Sequence, residues 1–471
     1  MGKIKRLISN TAILGAGTFI SKVLVFLLMP LYTACLSSEQ FGVADILMQT
    51  ANLIIPVAVL GISEGLFRFT IDSNPERRKQ IFTLSLMTLF IGMLPLAALI
   101  QIFRLFSVYD GYVWLVFFYI CSANLHLLVA NYVRGCDKTK IFAIQGIINT
   151  SLVIIFNVMF LVVFDMGVMG YVLSVVLADF VVSVGLILFC RLYRDVSVRN
   201  IEKSLFKELL KFSVPYIPLT LMWTITSVSD RFVILATLGE NAESINGLYA
   251  AAYKLPTLIT IAGGIFIKAW HISSVSEDVN ERSAFFGGVY KNYTSIMFVG
   301  AGFLVAFSRI FTRLLLNESY YESWKYVPVL AIAMIFSAFS EFLGSVYFVG
   351  KKSSRSLITA AAGAIMNIIL NFALIPIFGA MGAAVATAIC YALVFFIRIV
   401  DTQKYIRFER AIVKTLINTA LIIAQVVIIV LDVPFWWVFQ IGFIAISLAF
   451  NGREMLVYAK RILKGKKVKK I

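Results

Sequence analysis

Charge is scarce in this chain: only 14% of its 471 residues are charged, against 60% that are hydrophobic. A soluble chain of this size could not bury so much apolar surface, so that class is excluded. Its five cysteines (Cys35, Cys121, Cys136, Cys190, Cys390) show neither a CxxC pair nor metal-ligand spacing. They read as small packing residues, and no metal centre is expected. HExxH, a Walker-type GKS/T loop and a Ser-His-Asp order are all missing, and no segment reads as a separate soluble domain. Membrane enzymes usually carry a substantial external loop with catalytic residues; here the longest polar segments run to about twenty residues. The chain therefore reads as a non-enzyme without a cofactor. With no ATPase motif, any energy must come from an ion gradient, the membrane potential or downstream consumption.

What is present is a series of long apolar runs. Windows of roughly 20 apolar residues give fourteen candidate spans: 10–35, 41–66, 81–103, 112–134, 142–164, 167–192, 212–238, 245–272, 289–313, 325–349, 355–377, 380–400, 411–431 and 434–452. The first run outlasts a signal-peptide core and lacks a small-residue cleavage site, so it reads as a retained helix. The expected class is an all-α integral membrane protein.

The net charge of +17 invites a nucleic-acid partner. Its distribution argues against one, because the basic residues sit in short segments between spans. With the N-terminus inside, 35 of the 42 lysines and arginines fall on the cytoplasmic side. Only Arg104, Arg309, Arg313 and Lys325 fall outside. The positive-inside rule then places both termini in the cytoplasm. The closing "AKRILKGKKVKKI" reads as a polybasic run attracted to anionic headgroups.

Two stretches resemble each other. "FDMGVMGYVLSVVLADF" (164–180) and "IFGAMGAAVATAICYAL" (377–393) share a GxMG core at a short external turn. Upstream, Asn149 and Asn157 align loosely with Asn367 and Asn371. Phe41–Gly42 corresponds to Asn246–Gly247, so the repeat unit holds six helices. An even number returns the chain to the same side, which predicts parallel repeats. The expected organisation is a first six-helix lobe over 1–200, a second over 201–405, and two further helices with the tail over 406–471. Nine of the ten prolines lie in or beside spans, as kinks compatible with alternating access.

Three basic residues remain inside spans: Lys22, Arg231 and Lys254. A charge at mid-membrane costs about 2.5–3.5 kcal/mol on insertion scales, so each marks a candidate site. Asp230 stands beside Arg231, but helix neighbours point about 100° apart, so the two are not expected to pair. Asp230 and Lys254 both lie about 12–13 Å deep, which makes Lys254 the expected partner. Arg231 and Lys22 are left as cations for an anionic cargo, a phosphate above all, with structural ion pairing as the alternative. Asp179, Glu341 and His126 are candidates for carrying a proton or sodium ion, with helix packing as the alternative. Asp45, near the outer surface, and Glu64, near the inner one, read as solvated gates, with Arg68 beside Glu64. His271 is expected at the interface.

"FISKVLVFLLMPLYTACLSSEQFGVADILMQTANLIIPVAVLGISEGLFRF" (19–69) resembles the opening of bacterial polysaccharide (O-antigen) repeat-unit flippases of the multidrug/oligosaccharidyl-lipid/polysaccharide superfamily. "KFSVPYIPL" (211–219), "SDRFVILATLG" (229–239) and "NGLYAAAYKL" (246–255) resemble that family's Pro-rich opening, Asp-Arg span and Tyr-x-x-Ala-x-Lys segment. The resemblance implies a V-shaped, two-lobed bundle in the cytoplasmic membrane. It implies a cargo of undecaprenyl-diphosphate-linked oligosaccharide, moved to the outer leaflet to feed a surface polymer such as capsule or O-antigen. Lys22, Arg231 and Lys254 become candidate diphosphate contacts, with Asp230 as counter-ion or coupling group. Membrane lipids and other polysaccharide-assembly proteins are the further partners implied. The alternative within the superfamily is an ion-coupled exporter of cationic drugs, which would favour an acidic cavity.

Overall fold

The computed structural model describes residues 23–24, 26–71, 73–106, 109–197, 202–276, 282–350 and 352–463. Lys22, the side chain of His271 and the basic tail lie outside the described residues. Among the described residues the structure is helical, without strands. The first eight helices are α1 (Met29–Cys35), α2 (Ser38–Ala58), α3 (Ile62–Ile71), α4 (Pro75–Leu99), α5 (Val113–Gly135), α6 (Thr139–Asn157), α7 (Gly167–Phe189) and α8 (Lys203–Ser213). Then come α9 (Tyr216–Thr237), α10 (Ala242–Ser276), α11 (Arg282–Ala306), α12 (Ser308–Leu315), α13 (Val327–Val349), α14 (Ser353–Phe378), α15 (Ala380–Asp401), α16 (Ile412–Val430) and α17 (Trp436–Leu463).

Eleven of the described helices are long and apolar enough to cross a membrane, or twelve if α11 and α12, bent by 65°, form one span. Trp436–Gly452 is a shorter apolar helix, and the first window of the sequence falls largely outside the described residues. Phe90, Ile91 and Leu94 are 63%, 61% and 73% exposed, a surface suited to lipid and not to water.

Contacts divide the chain into two compact units, one ending at Val228 and the other beginning at Ser229. In the first, α5 is the hub, packing against α2, α3, α4, α6 and α7. In the second the hub is α13, with 78% of its apolar window buried. These are the fourth and tenth spans, the same place in each repeat. The C-terminal pair α16–α17 packs on α11 of the second unit. Buried amides hold it there. Asn418 and Asn451 bond each other reciprocally at 3.2 and 2.8 Å, and Gln425 donates to the Gly302 carbonyl at 2.9 Å.

Local chemistry sets the helix ends. Ser37 and Gln40 form a capping box at the start of α2, each side chain 3.1 Å from the other's backbone N–H. Asn74 accepts from the Arg77 N–H at 2.9 Å, and Pro75 opens α4. The window 41–66 proves to be two helices, because Leu60 and Gly61 take φ of +52° and +63° just after Pro56. The two GxMG cores share a geometry. Gly167 and Gly379 have φ of +53° and +59°, and each precedes or opens the following helix. A Cβ on Gly382 would lie 2.3 Å from the Leu374 carbonyl oxygen, and one on Gly170 would lie 3.2 Å from that of Phe160.

Candidate functional site

Asp230 and Arg231, on α9, are both deeply buried within an apolar helix, at 0% and 3% exposed. Contrary to the expectation from helix geometry, they do pair. Arg231 Nη1 donates to Asp230 Oδ1 at 2.9 Å, and the Arg231 backbone N–H donates to the same oxygen at 3.0 Å. Their Cβ atoms diverge, but the arginine side chain is long enough to curl back over its neighbour. Tyr249 Oη donates to Asp230 Oδ2 at 2.6 Å, so both carboxylate oxygens are taken. The guanidinium lies over the rings of Tyr253 and Tyr249, with its carbon 4.7 and 5.6 Å from the centroids. Lys254, expected as the partner of Asp230, is half-buried one residue beyond Tyr253.

One residue earlier on α9, Ser229 begins a second buried network. Its Oγ donates to Asn367 Oδ1 at 2.5 Å and accepts from Asn371 Nδ2 at 3.2 Å. Asn367 Nδ2 in turn donates to Thr387 Oγ1 at 3.4 Å. Three helices, α9, α14 and α15, thus meet through uncharged groups directly beside the ion pair.

The first unit holds its own polar cluster. Asp179 on α7 lies 2.8 Å from His126 Nδ1 of α5 and accepts from Asn149 Nδ2 of α6 at 2.6 Å. His126 Nε2 lies 2.8 Å from Gln145 Oε1, one helical turn from Asn149. Sequence reasoning named Asp179 and His126 separately; the structure brings them into direct contact. Asn149 joins this cluster, whereas Asn157 spends its amide on the Val153 carbonyl at 2.7 Å.

The gate candidates differ from expectation in part. Asp45 is 6% exposed and not solvated; Gln49 Nε2 donates to it at 3.3 Å. Glu64 is half-buried and faces Arg134, whose guanidinium lies 4.4 Å over the Phe67 ring. Arg68 is exposed. Glu341 is exposed on α13 and interacts electrostatically with Arg398 and Tyr293.

Two arginines escaped sequence reasoning. Arg398, counted with a cytoplasmic stretch, is 1% exposed. It donates to the Ser340 carbonyl at 2.8 Å, Thr359 Oγ1 at 2.9 Å and the Ser356 carbonyl at 3.3 Å, tying α13, α14 and α15 together. Arg309, assigned to an outer segment, is sandwiched between Trp324 and Trp436, 3.9 and 4.7 Å from the centroids, and bonds Asp432 at 2.8 Å. No local pattern separates these arginines from solvated ones at span ends. Among the described residues, no group of three His, Cys, Asp or Glu side chains is placed to hold a metal ion.

Comparison with known proteins fits this architecture. The model of the polysaccharide biosynthesis protein family matches residues 7–270, just over half of the chain. An uncharacterized membrane protein of Methanocaldococcus jannaschii, MJ1375, is 22% identical over 404 residues, covering 80% of this chain and 93% of that protein. Among solved structures, lipid II flippase MurJ in an inward closed conformation matches with a TM-score of 0.71 at 13% identity, over 95% of this chain and 99% of that one. An inward-facing multidrug resistance MATE family transporter of the MOP superfamily matches with a TM-score of 0.64 at 16% identity, over 81% and 94% of the two chains. This chain belongs to the polysaccharide biosynthesis protein family and carries the all-helical fold of MurJ and the MATE transporters of the MOP superfamily.

Proposed function

We propose that the protein is a flippase for polyprenyl-diphosphate-linked oligosaccharides, moving them from the inner to the outer leaflet of the cytoplasmic membrane. The observation that carries this reading is the Asp230–Arg231 pair, sealed under Tyr249 and Tyr253 in a chain of a polysaccharide-biosynthesis family. An arginine at that depth, already bound to a neighbouring carboxylate, is a guanidinium held in reserve. A diphosphate is a stronger bidentate acceptor than the carboxylate it would displace. Lys254, one residue from Tyr253, supplies a second cation. In this reading Lys22 supplies a third from the first lobe. The sugars need only a wet cavity, and the lipid tail stays in hydrocarbon.

Asp179, hydrogen-bonded to His126 and Asn149, is the first lobe's candidate for coupling to a proton or sodium ion. Asp230, released when Arg231 turns to the cargo, is the candidate in the second. The excess of basic residues on one side supports cytoplasmic placement of both termini.

The reading predicts that Arg231→Lys, which keeps a cation beside Asp230 but loses the bidentate fork, and Lys254→Ala each fail to restore surface polymer in cells lacking the protein, at normal membrane abundance. Full restoration by both variants would remove the diphosphate assignment. Restoration accompanied by a changed tolerance of cationic compounds would favour a drug exporter instead.

A further inference from the structure

The first unit carries an apolar groove of about 820 Å³, lined by none of the candidate site residues. It runs between the end of α2 and the length of α4, from Leu84 to Phe103. At 1.5 Å per residue that is roughly 28 Å, close to the hydrocarbon thickness of a bilayer. Its walls come from side chains such as Val57, Leu60, Met87, Ile91 and Leu99, which are more than 40% or about 40% exposed. The one hydroxyl in the lining, Thr88, is spent on the Leu84 carbonyl at 2.8 Å. Gly92 shapes the groove: a Cβ there would lie 2.1 Å from the Ala58 carbonyl oxygen, so the two helices cross at backbone contact and diverge on either side.

Phe206 of α8 lines the same groove. This short helix is amphipathic, with Leu205, Leu209 and Ser213 buried. Ser213 seats it on α3, where a Cβ on Gly65 would come 2.2 Å from the serine Oγ. Its outer face exposes Lys203, Lys207 and Lys211, spaced one turn apart along about 12 Å. Phe206 follows Lys203 by three residues, so the groove wall and the lysine row are neighbours on one helix. The acidic residue between them, Glu208, is taken by Arg77 at 3.2 Å, which leaves the three lysines as a net cationic row.

A cationic row at a membrane interface, joined to an apolar groove of bilayer length, has the complementarity of one ligand class. We infer that α8 and this groove form a binding site for an anionic phospholipid, with phosphate on the lysines and acyl chains along α4. The site does not depend on the cargo proposed above, and its failure would leave that proposal standing.

The test is native mass spectrometry of the purified full-length protein, offered phosphatidylglycerol or phosphatidylcholine with identical acyl chains. Because the basic tail also attracts anionic lipid, the comparison is made on a protein with Lys464, Lys466, Lys467, Lys469 and Lys470 changed to Gln. That protein should keep one phosphatidylglycerol with a preference on the order of a hundredfold over phosphatidylcholine, in line with three lysines at an anionic surface. Adding Lys203→Gln, Lys207→Gln and Lys211→Gln should abolish the preference. Thr88→Trp, which fills the groove, should lower retention of both lipids. Equal retention of the two lipids would overturn the inference, as would a preference that survives the three lysine changes. So would displacement of the bound lipid by polyprenyl diphosphate alone, which would assign the groove to a cargo tail.

Discussion

At the scale of residues, Asp230 and Arg231 decide how the second unit tolerates charge at depth. Removing one partner of a buried ion pair strands the other in a low-dielectric interior and costs about 3–5 kcal/mol. Asp230→Ala should therefore lower the thermal unfolding midpoint of the purified protein sharply. Combining it with Arg231→Met should recover most of the loss, since the stranded cation is gone. Equal midpoints for the single and double variants would mean that the pair is not what strands the charge. Tyr249→Phe removes one donor to Asp230 and should cost about 1–3 kcal/mol, because it leaves a carboxylate oxygen unsatisfied. The sequence pointed to Asp230 and Arg231, since a charge in a 20-residue apolar run is conspicuous, but not to Tyr249. It did not reveal their pairing. The 100° rule applies to Cβ directions, whereas the ends of long side chains meet according to packing, here the rings of Tyr249 and Tyr253.

At the scale of elements, close helix crossings rest on particular glycines. Gly92→Ala would place a methyl 2.1 Å from the Ala58 carbonyl oxygen, and Gly382→Ala would place one 2.3 Å from that of Leu374. Neither neighbour is a flexible side chain, so each substitution should destabilise by about 1–3 kcal/mol. Gly185→Ala, in α7 with no neighbouring atom within 4 Å of the added carbon, should leave the midpoint unchanged or raise it. A drop at Gly185 as large as at Gly92 would refute the backbone-contact explanation. The reciprocal Asn418–Asn451 bonds join α16 to α17, and the bond from Gln425 to the Gly302 carbonyl ties the pair to α11. Asn418→Leu, which takes the donor from Asn451 Oδ1 while its Nδ2 keeps the Ser447 carbonyl, should cost about 1–2 kcal/mol in the same measurement. Apolar windows located these helices well. They missed the break at Leu60–Gly61 and the amphipathic α8, because a window averages over a local φ reversal and over an eleven-residue helix whose mean hydropathy is low.

At the scale of the whole molecule, apolar runs and basic asymmetry were enough to identify a polytopic helical membrane protein. The two GxMG cores read from the sequence take a similar turn, with Gly167 and Gly379 at positive φ. Both hubs, α5 and α13, fall where a six-helix repeat requires them. Buried arginines such as Arg398 were not legible, since a cation near a span end reads as solvated until the helix packed over it is known. Transport of a lipid-linked oligosaccharide is the central claim. The most direct test extracts lipid from cells depleted of this protein, identifies polyprenyl-diphosphate species by mass spectrometry and assigns their leaflet by enzyme accessibility. Accumulation of one glycan-bearing species in the inner leaflet is the expected result, reversed by the intact protein and not by Arg231→Lys. Unchanged amounts of every such species, or accumulation in the outer leaflet, would contradict it.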